Sequence, residues 1–125
     1  MWLTISWRRL ETFNHMVKLR EPQLDAVFHA LSDGTRRAIL RDIARAEKSV
    51  SEIAKPYRMS LAAVSKHIKV LEGARLIGRR RQGSHQYVCL NPGPLAGADQ
   101  WLAHYRQFWD ERLEALKNLL EKDEP

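Results

Sequence analysis

The chain has 125 residues, 44% of them hydrophobic and 29% charged, with a net charge of +6 and one cysteine. This is one-domain length with an ordinary globular composition. The lone Cys89 excludes an internal disulfide and the multi-cysteine zinc patterns, and no run approaches the roughly 18 apolar residues of a membrane span.

The excess charge is local. Residues 55 to 88 hold Lys55, Arg58, Lys66, Lys69, Arg75, Arg79, Arg80 and Arg81 against Glu72 alone, eight bases to one acid and a net of +7. Residues 1 to 54 carry nine bases and seven acids, and residues 89 to 125 four bases and seven acids. A positive block of this kind points to a polyanion, nucleic acid above all, although a solvated basic face is the bland alternative.

The opening "MWLTISWRRLETF" has its charges after its apolar residues and no small-residue cleavage site, unlike a signal peptide. With a single cysteine, the expected location is the cytoplasm. A short helix fits Gln23 to Leu31, with Leu24, Val27, Phe28 and Leu31 at helical spacing. Asp33 is placed to cap a second helix through about Ala46, whose apolar face is Ala38, Ile39, Ile43 and, at its end, Ala46. Arg36 and Arg37 fall in its first turn, where the macrodipole disfavours cations by about 0.3–1 kcal/mol. A DNA phosphate would offset that cost; an exposed pair that tolerates it is the alternative.

Ser49 and Glu52, three apart, form a capping box for a third helix that Pro56 ends near Tyr57. "RMS" is a three-residue turn, after which Ser60 caps a fourth helix, Leu61 to about Ala74. Two helices joined by so short a turn suggest a helix-turn-helix. At 100° per residue, Leu61, Val64, Ile68 and Leu71 of the fourth helix face the core. Ala62, Lys66, Lys69 and Gly73 face outward, Ala63 and Val70 lie on a shoulder, and Ser65 and His67 occupy the flanks. Small residues at the start allow close approach to a major groove, the lysines reach base edges or phosphates, and Ser65 and His67 can donate to backbone oxygens. A partly buried, hydrogen-bonded histidine is the alternative for His67.

Next comes a hairpin. With Gly83 and Ser84 at the centre of a type II′ turn, pairing runs from Gln82–His85 back to Ile77–Leu90. Ile77, Val88 and Leu90 then anchor the base in the core, while Arg80, Arg81, Gln82, Ser84, His85 and Gln86 form a basic tip suited to flanking phosphates or a minor groove. Arg79 shares the inner face with Val88, so it snorkels or pairs with an acid. Cys89, in a strand with no second cysteine nearby, reads as a small packing residue. "NPGPLAGA" reads as a break before a long amphipathic helix, about residues 98 to 121. Its stripe is Leu102, Tyr105, Trp109, Leu113, Leu116 and Leu120, with Trp101 and Phe108 beside it. So small a domain has little core left to cover that stripe. Self-association through this helix and the one bearing Leu24, Val27, Phe28 and Leu31 is favoured over packing on the chain's own domain.

The segments "LSDGTRRAIL", "VSEIAKPYRMSLAAVSKHIKVLE" and "RRRQGSHQYVCLN" together resemble the ArsR-type winged helix-turn-helix transcriptional regulators. The resemblance spans residues 23 to 121, leaving 1 to 22 as an extension and 122 to 125 as a tail. It implies a mainly helical fold with a small β-hairpin and a homodimer joined by the first and last helices. It also implies a palindromic operator and repression relieved by an inducer, here an unidentified small molecule. The cysteine pair of the family's metal sensors is absent from "VSEIAKPY", and Asp99, His104, Asp110, Glu111 and Glu114 do not match the family's other metal-site spacing. No metal or other cofactor is therefore expected. Arg58 and Arg75 stand where such proteins often have a left-handed glycine, and Gly34 replaces a common proline. The first 22 residues match nothing in the family: either Met16 is the start, or Trp2, Leu3, Trp7 and Leu10 extend the dimer interface.

The reading is a sequence-specific DNA-binding regulator, a homodimeric repressor without enzymatic or membrane function. DNA contact is assigned to Ser60, Ala62, Ala63, Ser65, Lys66, His67 and Lys69, to Arg36 and Arg37, and to Arg80, Arg81, Ser84 and His85 of the wing. The rival is a winged-helix protein-interaction module. No nucleophile motif or phosphate loop supports an enzyme, and Ser65 and His67 lie two apart on a helix, facing different ways.

Overall fold

The computed structural model describes residues 19–122. Helices α1 (Glu21–Leu31) and α2 (Gly34–Arg45) lead into a short strand β1 (Lys48–Ser49) and helix α3 (Val50–Ala54). Helix α4 (Leu61–Gly73), strands β2 (Ile77–Gln82) and β3 (His85–Leu90), and a long helix α5 (Gly93–Lys122) follow. The fold is a winged helix-turn-helix, mainly helical with a small antiparallel sheet.

The predicted caps are in place. Asp33 accepts from the Arg36 N–H at 3.0 Å, and Ser60 accepts from the Ala63 N–H at 3.1 Å. Ser49 and Glu52 exchange backbone-to-side-chain bonds, each 3.3 Å long. The Arg36 N–H is the main reason the Asp33 carboxyl lies below the usual carboxylate range. Its folded value being depressed, the cap contributes fully above the ordinary value and is lost as pH falls through the lowered one.

Several boundaries differ from expectation. Helix α1 starts two residues early, at Glu21, because Pro22 in a first turn has no N–H to leave unsatisfied. Helix α3 stops at Ala54, since Pro56 cannot donate to the preceding turn; a last bond from the Tyr57 N–H to Ala54 O (3.1 Å) closes it. Residues 55 to 60, rather than three residues, therefore separate α3 from α4. Ala46 is an exposed C-cap instead of part of the α2 face, whose buried residues are Ile39, Leu40 and Ile43. "NPGPLAGA" is not a break: α5 begins at Gly93, with Pro94 in its first turn. Gly97 is a packing position. A Cβ there would lie 2.3 Å from Leu19 Cγ and 2.6 Å from its Cδ1.

The sheet has strand order β1-β3-β2. The β2–β3 register is the expected one from Gln82–His85 to Ile77–Leu90, with Gly83 at φ 63 in the turn. The two-residue β1 was not anticipated; it is too short to show alternation, and pairs Lys48 with Val88 and Ser49 with Tyr87. Helix α4 ends in a Schellman arrangement, Arg75 N–H to Glu72 O (2.9 Å) and Leu76 N–H to Leu71 O (3.0 Å). Arg75 sits at its left-handed position with φ 60. Arg58, the other candidate, is not left-handed.

One core joins these elements. Val27, Ile39, Ile53, Val64, Ile68, Leu71, Leu76 and Val88 have no exposed surface, each contributing about 1.5–3 kcal/mol of burial. Leu24 and Val27, assigned to the dimer interface, belong to this core instead. Helical spacing alone could not say which neighbour covers α1, and its own domain does. Leu61, assigned to the core, is 57% exposed; it sits in the first turn at the edge of the buried sector, where no element covers it. Trp2, Leu3, Trp7, Leu10, Met16 and residues 123 to 125 lie outside the described residues.

Two substitutions should move stability in opposite directions in urea or thermal unfolding. Gly97→Ala, crowding Leu19, should lose about 1–3 kcal/mol. Arg75→Gly, relieving a left-handed arginine, should gain about 1 kcal/mol.

Candidate nucleic-acid interface

Burial of Val64, Ile68 and Leu71 turns the opposite side of α4 to solvent. Ala62, Lys66 and Lys69 are exposed there, with Ala63 and Ser65 half-buried on the flanks. Neither lysine has an ion-pair partner among the described residues. Ser60, at the helix start, uses its oxygen as the cap acceptor and keeps its O–H as a donor.

The wing continues this surface. Its base is held by buried Ile77 and Val88 and half-buried Leu90. Asn91 adds a clamp that spacing did not reveal: its side-chain amide donates to Arg75 O and its N–H to Leu76 O, both 2.8 Å. Cys89 packs half-buried, its thiol donating to Gly78 O at 3.4 Å. At the tip, Arg81, Gln82, Ser84, His85 and Gln86 are exposed.

The three consecutive arginines have different partners. Arg79 Nε donates to Glu72 at 2.6 Å, so its pairing with an acid is realised. Arg80, expected at a phosphate, has partners within the chain. It grips Glu47 through Nε (2.9 Å) and Nη2 (2.5 Å) and lies 5.2 Å from the centre of the Tyr87 ring. Glu47, accepting from Arg80, raises that arginine's pKa above its ordinary value. The Glu47 contact was invisible in sequence because β1, which brings it beside the wing, was. Arg81 alone of the three has no partner among the described residues.

Arg36, Arg37 and His67 also have partners within the chain. Arg36 Nε donates to Ala30 O (2.8 Å) and Nη2 to His29 O (3.1 Å), and Arg37 donates to Leu31 O (2.7 Å). Both cations cap the carbonyl end of α1, a favourable site, which offsets their poor position at the start of α2 without a phosphate. His67 is half-buried, its Nδ1 3.2 Å from Arg36 Nη1 and 3.9 Å from Asp33. From its flank position it faces the α1–α2 junction, as the partly buried, hydrogen-bonded alternative describes.

The expected association surface divides similarly. Leu24 and Val27 are inside; Phe28 and Leu31 are half-buried against the core. Phe28 meets Trp101 edge to face, with ring centres 5.5 Å apart, and Trp101 meets Tyr105 at 5.0 Å. Beyond this contact α5 runs uncovered. Trp101 is 40% exposed and Trp109 66%, and Leu102, Tyr105, Phe108, Leu113, Leu116 and Leu120 are exposed, as is Leu119. Asp99 is buried and accepts from Arg106, while His104, Asp110, Glu111 and Glu114 are exposed. Among the described residues no three His, Cys, Asp or Glu side chains could hold a metal ion together, and no helix is long and apolar enough to cross a membrane.

Residues 31–80 match a helix-turn-helix domain family. The chain is 36% identical over 99 residues to the HTH-type transcriptional regulator Rv2034 of Mycobacterium tuberculosis, covering 79% of this chain and 90% of that one. It is 30% identical over 90 residues to the transcriptional repressor SdpR of Bacillus subtilis, covering 72% of this chain and all of that one. An ArsR-like transcriptional regulator from Rhodococcus sp. RHA1 superposes with a TM-score of 0.63 at 32% identity, covering 78% and 92% of the two chains. The homodimeric winged helix-turn-helix DNA-binding domain Mb0332 from Mycobacterium bovis superposes with a TM-score of 0.54 at 31% identity, covering 75% and 84%.

The unequal partners of the wing arginines give distinct expectations in DNA titrations over a range of salt. Arg81→Ala should lower the slope of log K against log salt by about one unit, the loss of one phosphate contact. Arg79→Ala, whose charge Glu72 already balances, should leave it unchanged.

Proposed function

The chain belongs to the ArsR-type winged helix-turn-helix family of transcriptional regulators, and we propose that it acts as a homodimeric repressor on a palindromic operator. The observation that carries the DNA-facing assignment is the distribution of unpaired charge. Of the eight bases between residues 55 and 88, Arg79 and Arg80 are paired with acids. Lys55, Arg58, Lys66, Lys69, Arg75 and Arg81 have no ion-pair partner among the described residues. Such a surface costs self-repulsion until an anion neutralises it.

In this reading Ala62, Ala63, Ser65, Lys66 and Lys69 enter the major groove, with Ser60 at the backbone. Arg81, Ser84 and His85 reach the flanking phosphates or minor groove. Sequence discrimination comes from Lys66 and Lys69, affinity from the cations around them. The homodimer rests on the uncovered stripe of α5, from Leu102 to Leu120, joined at its root to Phe28 and Leu31 of α1. The homodimeric state of Mb0332 supports it. A small-molecule inducer would act most directly in the groove of about 270 Å³ between Glu21, Leu24, Asp25, Phe28 and Trp101, because it adjoins both association helices. The site of action is the cytoplasm, where a repressor meets its DNA.

A footprint on DNA upstream of the chain's own coding region should protect two half-sites about one helical turn apart, or a multiple of it. Lys66→Ala should reduce the ratio of operator to random-DNA binding by about 1–3 kcal/mol; equal losses on both DNAs would remove Lys66 as a base reader. Trp109→Glu with Leu113→Glu should yield a folded monomer in sedimentation, and an unchanged dimer would reassign the interface.

A further inference from the structure

We propose that Arg36 and His67 are positioning residues that lock the recognition helix α4 to α1, and thereby set the half-site spacing the dimer accepts. This rests on the dimeric DNA-binding reading and adds to it a determinant that touches no DNA.

One guanidinium joins three helices. Arg36 belongs to the first turn of α2, yet its Nε and Nη2 donate to Ala30 O and His29 O at the end of α1. Its Nη1 meets His67 Nδ1 in the middle of α4 at 3.2 Å. Arginine has only donors, so this bond requires Nδ1 to be the acceptor and leaves the ring proton on Nε2. The planar fork matters, because a lysine ammonium cannot serve acceptors spread over two helices with fixed geometry. Asp33 Oδ2, 3.9 Å from Nδ1, flanks the same junction while capping α2.

The elements so joined are those whose relation decides spacing. Phe28 precedes the two α1 carbonyls and packs on Trp101 of α5, at the root of the association surface. His67 stands between Lys66, which faces outward, and Ile68, which is buried. A tilt of α4 about its buried face moves Lys66 relative to α1, and in a two-fold dimer every such shift is doubled between half-sites. Apolar burial of Val64, Ile68 and Leu71 opposes separation of α4 from the core but is non-directional. The Arg36 fork supplies the directional restraint.

The test uses the full chain and a duplex selected by the wild-type protein from random-sequence DNA, with variants whose centre is lengthened or shortened by a base pair. Arg36→Gln and His67→Gln should each reduce the preference for the selected spacing about tenfold, the scale of one charge-assisted hydrogen bond. Their salt slopes should stay at the wild-type value. His67→Asn, whose amide oxygen falls near the place of Nδ1, should keep the preference. A salt slope lowered by about one unit in Arg36→Gln would make Arg36 a phosphate contact and overturn the proposal. So would retention in His67→Gln with loss in His67→Asn, the pattern of a DNA contact made through Nε2. If the wild-type protein selects no duplex at all, the DNA-binding reading itself falls, and this proposal with it.

Discussion

Complete burial of one side of α4 is the constraint on which the rest of the molecule depends. Val64, Ile68 and Leu71 are buried in one core cluster with Ile39, Ile53 and Val88, and at 3.6 residues per turn that leaves Ala62, Lys66 and Lys69 no position but outward. The same core takes the base of the wing through Ile77 and Val88. Recognition helix and wing are thus two projections of one packed unit, and their relative geometry is inherited from side-chain packing rather than from the loops between them.

Electrostatics completes what packing begins. The acids near the positive block are used selectively: Glu72 holds Arg79, and Glu47 holds Arg80. These pairs brace the wing against α4 and against the start of β1, while Arg81, Lys66 and Lys69 keep their charge available. Helix α5 extends about 45 Å at 1.5 Å per residue, far beyond the part that packs on α1. Only its first turns, Ala96 to Asp99, are buried. A surface of unpaired cations and an uncovered apolar helix match a protein that binds DNA as a pair.

What could be read from the sequence was whatever local chemistry determines. The caps at Asp33, Ser49 and Ser60, the hairpin register about Gly83 and the burial of Val64, Ile68 and Leu71 each follow from a few adjacent residues, and each is found in the structure. What escaped depends on distant partners. Arg36 and Arg37 carry a local penalty that the carbonyl end of α1 relieves, and spacing cannot tell that carbonyl from a phosphate. Gly97 and Pro94 have the composition of a loop, but Leu19 needs the missing Cβ and a first turn accepts the proline. His67 lies at the boundary of the inner and outer faces, where rotation by helical period is least decisive, and a neighbouring arginine settles its direction. Leu24 and Val27 show the same limit, since periodicity identifies an apolar face without identifying what covers it.

The central claim, that the outer face of α4 and the wing tip form one DNA-contacting surface, is tested most directly by amide-resolved NMR during titration with the operator duplex. Perturbations should concentrate at residues 60 to 69 and 81 to 85, weaken as salt rises, and leave residues 109 to 120 of α5 unchanged. Perturbations centred on α5, with α4 and the wing unaffected, would contradict the account.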